Sequence, residues 1–274
     1  MIEVRNYTKT YGDFLAVQDL SFRVEPGQIL GLLGPNGAGK TTTLRAIVGV
    51  LQPTHGQLLV DGHDVEADPV AAKRELAYVP DDPRLFDALT VWEHLVFTAH
   101  LYQVQNFEPI ADRLLDQFEL KAKRNTVCQE LSRGMRQKVA ICCAYLHNPK
   151  AILLDEPLTG LDPRGIRTLK DSIVERAASG AAILVSSHLL ALIENLCTHL
   201  LIIVNGSRKF VGTTEEARKS FADLSGDNSL EELFFRATEN VVPPVIPTPE
   251  HVLPDSEPPA PQNLAATNSE ELRP

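Results

Sequence analysis

The stretch Gly34-Pro35-Asn36-Gly37-Ala38-Gly39-Lys40-Thr41 constrains this chain more than any other, because it follows the mostly apolar run Ile29-Leu30-Gly31-Leu32-Leu33 without a break. The run reads as a buried strand, and the glycines behind it as a tight turn into a helix. Gly34, Gly37 and Gly39 leave the backbone free to curl, so that successive N–H groups point inward where the positive end of the following helix also points. Such a cradle suits phosphate. Lys40 adds a compact cation for the outer phosphates of a nucleotide, and Thr41 a hydroxyl for Mg²⁺. Pro35, Asn36, Ala38 and Thr42 complete the residues expected to line the nucleotide.

A strand, turn and helix of this kind need a sheet and a core around them. The 274 residues, 43% of them hydrophobic, are enough to build one. A net charge of −10 with no dense Lys/Arg run makes the surface repel polyanions, so no nucleic-acid partner is expected. The longest apolar stretches, around Ala181 to Val185 and Leu200 to Val204, are far too short to span a bilayer, and the N-terminus carries no charged-then-apolar export signal. These features place the chain in the cytosol. Cys128, Cys142, Cys143 and Cys197 have neither metal-site spacing nor the density of a disulfide scaffold, and read as reduced core residues.

Along the chain, Ile2 to Val24 alternates apolar and polar residues around a turn at Tyr11-Gly12-Asp13, the pattern of short strands in a half-polar sheet. Lys40 to Val48 reads as a helix stopped by Gly49, and Gly56 to Gly62 as a strand ending in an Asp-Gly turn. From about 82 to 148 the periods become helical, as in an inserted helical subdomain. Strands are expected at Ala151 to Leu154, Ala182 to Ser186 and His199 to Val204. Helices are expected from Asp162-Pro163, after His188 and near Thr214 and Leu230. Beyond Asn240 nine of the last 35 residues are proline. That composition cannot build a packed core and predicts a disordered tail over 240–274.

The second chemical feature is Ala151-Ile152-Leu153-Leu154-Asp155-Glu156, an apolar strand ending in two adjacent carboxylates that a parallel sheet would deliver beside the phosphate loop. Asp155 is expected to hold Mg²⁺, together with Thr41. Glu156, pointing elsewhere because strand side chains alternate, is expected to polarise the water that attacks the terminal phosphate.

Between these two motifs stands Leu131-Ser132-Arg133-Gly134-Met135-Arg136-Gln137, and with it the chain resembles the ATP-binding subunits of ABC transporters, whose signature is Leu-Ser-Gly-Gly-Gln. The resemblance covers roughly residues 1 to 237. Thr159-Gly160-Leu161-Asp162 is similar to the family's D-loop, and Ser187-His188 to its switch histidine, which makes His188 a catalytic candidate beside Glu156. Tyr11 is similar to the aromatic that stacks on adenine. Taken singly, Tyr11 also reads as a turn residue and His188 as a helix start.

The resemblance implies an α/β fold: a P-loop NTPase (RecA-like) core with an antiparallel β subdomain and an inserted α-helical subdomain, over residues 1–239. It implies ATP and Mg²⁺ as cofactors. It also implies a head-to-tail dimer with a second copy or a paralogous ATPase, in which Ser132 and the Gly134 N–H of one subunit cap the nucleotide of the other. The permease it powers would be a separate integral membrane chain, with this chain peripheral on the cytoplasmic face of the membrane. Leu85 to Val91 resembles the region that receives the permease.

Two departures stand out. Asp81 occupies the position of the family's Q-loop glutamine, and Arg133 and Met135 replace Gly and Gln in the signature. The signature departures resemble those of exporter ATPases for drugs, antibiotics or lipids. The competing expectation is a soluble single-domain ABC ATPase in cofactor assembly, while an ATP sensor that does not hydrolyse is disfavoured by Glu156 and His188.

Overall fold

The computed structural model describes residues 1–188 and 195–222. The helix expected after His188, the one near Leu230 and the proline-rich segment from Asn240 lie outside these residues. All that follows concerns the first of the two units into which the chain divides, Met1–Pro244.

Strands Ile2–Tyr11 (β1) and Phe14–Val24 (β2) form an antiparallel hairpin around Gly12-Asp13. At 10 and 11 residues they are longer than the short strands expected. His55–Val60 (β4) lies against β1 and passes through Asp61-Gly62 into His63–Asp64 (β5). Both turn residues have positive φ, 48° and 85°, as a two-residue hairpin turn matched to strand twist requires. These strands make a four-stranded antiparallel sheet, ordered β2-β1-β4-β5.

The second sheet has six strands: Ile29–Leu33 (β3), Leu76–Val79 (β6), Ala151–Asp155 (β7), Ala182–Ser187 (β8), His199–Val204 (β9) and Ser207–Thr213 (β10). Their order is β10-β9-β3-β8-β7-β6; all pair in parallel except β10, which turns back antiparallel on β9. Both faces of the sheet are covered, so its inner strands are apolar along most of their length and do not alternate. Side-chain alternation instead sorts them between two cores. Ile29, Leu33, Ile152, Leu154, Ile183 and Val185 enter one core, and Leu30, Leu32, Leu153, Leu184, Leu201 and Ile203 the other. Each such side chain, fully buried, contributes on the order of 1.5–3 kcal/mol.

The first core is closed by Val91–Leu101 (α3), Glu108–Gln117 (α4), Arg133–Leu146 (α5) and Pro163–Ala178 (α6). The second is closed by the antiparallel sheet, Lys40–Ile47 (α1) and Pro69–Arg74 (α2). The helices α3, α4 and α5 all fall between 82 and 148. Helix α6 starts where Asp162 caps it, its carboxylate accepting from the Gly165 N–H at 3.1 Å with Pro163 in the first turn. Thr214–Ala222 (α7) follows β10. The sequence reading did not include α2, β5, β6 or β10: the first three are six, two and four residues long, too short for a period to register, and β10 is a partly polar edge strand.

Candidate active site

The parallel strands end on a common rim, the position where open α/β sheets bind ligands. Strand β3 runs into the phosphate loop, β7 ends in Asp155, and β6 leads within two residues to Asp81. The strands that carry the loop and the carboxylates are not neighbours: β8 separates β3 from β7, and Ser186 on β8 stands in register with both Leu32 and Asp155.

At the loop, a Cβ on Gly34 would sit 2.4 Å from the Ile203 carbonyl oxygen, so the backbone must pass there without a side chain. Gly39, at the head of α1, has φ 103°, a left-handed conformation that places the first N–H groups of the helix inward. Lys40 is only 7% exposed. Its ammonium donates to the carbonyls of Gly34 at 2.7 Å and Pro35 at 3.2 Å, and Glu156 Oε1 lies 3.9 Å away. Burial lowers the Lys40 pKa, with Glu156 and Asp155 opposing the shift. A buried ammonium at the head of a helix, met by two carbonyls and by one carboxylate at 3.9 Å, fits a polyphosphate, which adds negative charge to it. Asp155 and Thr41 offer hard oxygen donors of the kind Mg²⁺ takes.

Asp155 is 2% exposed. Its Oδ1 accepts from Ser186 Oγ at 2.6 Å, and its Oδ2 from the Tyr78 hydroxyl at 3.4 Å. Burial, then the neighbouring Asp155 charge, pushes the Tyr78 pKa up to about 12, so that hydroxyl stays a donor. The Glu156 N–H donates to the same Ser186 Oγ at 3.0 Å. One hydroxyl therefore orients both acids.

Glu156 takes its direction from a different cause than the one expected. Strand β7 stops at Asp155, and Glu156 itself adopts φ 46°, a left-handed turn that a non-glycine residue rarely takes. This turn, not strand alternation, sends its carboxylate toward Lys40 on one side and His188 on the other, with His188 Nδ1 3.0 Å from Glu156 Oε2. Ser186 and Tyr78 were not among the expected site residues. A trace of Ser186 is visible in the sequence, since Ser186-Ser187 ends an otherwise apolar run; Tyr78 has no comparable signal.

Lys40, Asp155, Glu156, His188, Ser186 and Tyr78 thus form one connected set. The other residues of the phosphate loop surround Lys40, whose ammonium meets the Gly34 and Pro35 carbonyls, while Tyr11, Ser132, Gly134, Asp162 and Asp81 lie outside this set. Tyr11, 46% exposed at the end of β1, carries the Lys9 ammonium 5.0 Å above its ring. Ser132 caps α5, accepting from the Met135 N–H at 3.3 Å. Gly134 packs so close that a Cβ would lie 2.6 Å from the Gly160 carbonyl, and Asp162 adds to its cap an ion pair with Lys138 at 3.7 Å. Asp81 pairs with Arg133, its Oδ1 accepting from Nη2 at 3.1 Å. The backbone from Glu156 to Asp162 runs from the first group to this second one.

A phosphate loop after a central parallel strand, with an acidic pair two strands away, defines a P-loop ATPase. Residues 17–159 match the family model described as ABC transporter. The chain is 35% identical over 241 residues to the ABC-type transporter ATP-binding protein EcsA of Bacillus subtilis, covering 87% of this chain and 97% of that protein. It is 34% identical to the lipopolysaccharide export system ATP-binding protein LptB of Haemophilus influenzae, over 79% of this chain and 92% of that one. A solved structure titled as the ATP binding subunit of an ABC transporter superposes with a TM-score of 0.83 at 36% identity, covering 87% of this chain and 99% of that one. The chain belongs to the ABC transporter family as an ATP-binding subunit, an ATPase coupled to transport. No helix among the described residues is long and apolar enough to cross a membrane.

Proposed function

We propose that this subunit hydrolyses ATP with Glu156 as general base and powers an export permease from the cytoplasmic face of the membrane. The observation that carries the reading is the double constraint on Glu156: its N–H is held by Ser186, and its carboxylate lies between Lys40 and His188. A carboxylate so held is positioned to accept a proton from the attacking water, while His188 fixes its second oxygen. Backbone N–H groups of the phosphate loop and of the first turn of α1, with the Lys40 ammonium, bind the phosphates, and Tyr11 offers an exposed ring for the adenine. Thr41 and Asp155 would hold Mg²⁺, which when bound offsets phosphate charge.

The loop leaves the outer side of the nucleotide without donors. Ser132 and the Gly134 N–H of a second copy supply them in a head-to-tail dimer, with Asp162 near the same interface. The permease has an apolar landing site next to this machinery. Phe86, Phe97 and Leu101 are exposed, and the Phe86 and Phe97 rings meet edge to face at 5.6 Å. A groove of about 250 Å³ lined by Arg84, Leu85, Tyr102 and His147 opens nearby. The exporter direction is supported by the likeness to the lipopolysaccharide export ATPase and by Arg133 and Met135 in the signature.

The test is Glu156→Gln. The phosphate cradle remains, so ATP binding persists while hydrolysis falls by roughly 10² or more, and the ATP-bound protein elutes as a dimer on size exclusion. Normal turnover in that variant would remove Glu156 from its role. Co-purification with a polytopic membrane protein checks the permease assignment.

A further inference from the structure

The two places where the chain departs from the signature and Q-loop pattern of its family face each other. Arg133 is the first residue of α5, and its side chain spans two other segments. Its methylenes lie along Gly160, where a Cβ would meet Cδ at 3.3 Å, and its guanidinium reaches Asp81 at 3.1 Å. A glycine at 133 could make neither contact, and a glutamine at 81 would meet the guanidinium without a countercharge. The next residue, Gly134, presses on the Gly160 carbonyl, so the N-terminus of α5 is held on one side by the segment after Glu156 and on the other by the loop after β6.

Folding stability does not account for the pair. The Arg133 and Asp81 side chains are 53% and 47% exposed, and an ion pair so open to water adds little to the folded state. What it does constrain is geometry. The loop that starts at Asp81 continues through Arg84 and Leu85, which line the apolar groove, and α5 starts with the residues that flank Ser132 and Gly134.

We infer that Arg133 and Asp81 are a positioning pair that ties the permease-facing loop to the signature end of α5, so that a displacement of one is passed to the other. Asp81 thus acts on the site through Arg133. The inference rests on the proposed head-to-tail arrangement, in which the α5 N-terminus serves the partner's nucleotide.

The experiment is a charge swap in the full-length protein, with kcat, KM for ATP and half-saturating Mg²⁺ measured for wild type, Asp81→Arg, Arg133→Asp, the double variant and Asp81→Asn. Each single swap is expected to lower kcat about five-fold with KM within about two-fold, and the double variant to recover to within about two-fold of wild type, since contacting residues do not add. Arg133→Lys keeps the charge and should keep most of the rate. Melting temperatures of all variants should agree within about 3 °C, as befits an exposed pair. A double variant no better than its worse parent overturns the inference. So does a several-fold change in half-saturating Mg²⁺ for Asp81→Asn, which would put Asp81 in the metal's shell. The dimer reading is checked separately by the wild-type rate against protein concentration: rising faster than linearly on leaving high dilution supports it, and strict proportionality defeats that reading whatever the swap shows.

Discussion

At the scale of single residues, the site depends on groups that no motif contains. Ser186 donates to Asp155 and accepts from the Glu156 backbone, so removing its hydroxyl frees both acids together. A hydrogen bond to a charged group contributes about 1.5–3 kcal/mol, and Ser186→Ala is expected to lower kcat about ten-fold or more while ATP binding changes little. Steady-state kinetics with nucleotide-binding titration would show the split; an unchanged kcat would mean the acids hold their positions without it. Gln137 presents the opposite case. It is 1% exposed, and neither polar atom of its side chain finds a hydrogen-bond partner among the described residues. Replacing a buried, unpaired amide by an apolar chain of similar size removes a desolvation cost, so Gln137→Met should stabilise the protein by about 1 kcal/mol and raise Tm by about 2–4 °C. A lower Tm would reveal a partner for the amide.

Between elements, the junction of α3, α5 and β6 carries a pH dependence. His147 follows the last turn of α5, stacks on Tyr102 at the end of α3 with ring centroids 3.7 Å apart, and its Nε2 contacts the Leu76 carbonyl of β6 at 3.3 Å. With Nε2–H donating there, the buried Nδ1 has no partner among the described residues, so protonation would create an N–H that none of them accepts. Burial accordingly lowers the His147 pKa from 6.5 to about 4. The unfolded chain binds this proton more readily than the folded one, so the contribution is fully present above 6.5 and is lost as pH falls through about 4. Wild type should therefore lose Tm more steeply than His147→Gln between these limits, in a series of melts at fixed ionic strength. Parallel curves would assign the acid sensitivity to other groups.

For the whole molecule, two cores back to back on one six-stranded sheet hold the rim rigid from both faces. Deletion of the proline-rich segment 240–274 should leave Tm and basal ATPase activity unchanged, because that composition removes no apolar core. A large fall in Tm would show that the segment packs on the rest of the chain. Measurement of both quantities on full-length and truncated protein decides it.

Much of this protein could be read from local sequence because local physics determines it. The glycines of the phosphate loop set their own backbone geometry, Asp162-Pro163 starts a helix with its own cap, and Asp61-Gly62 makes its own turn. Strand identity at β3, β7, β8 and β9 follows from apolar runs that only a covered sheet can bury. Strand order does not follow from such runs, since each could pair with any other at similar local cost. The tertiary structure decided that β8 lies between the loop and the acids, and so that Ser186, 31 positions from Asp155, orders them. It likewise brought Arg133 to Asp81, 52 positions away, and turned Glu156 by a left-handed backbone that the local sequence does not favour. These contacts depend on how the sheet and helices pack against their two cores, a free energy summed over the whole chain and not readable from any one segment of it.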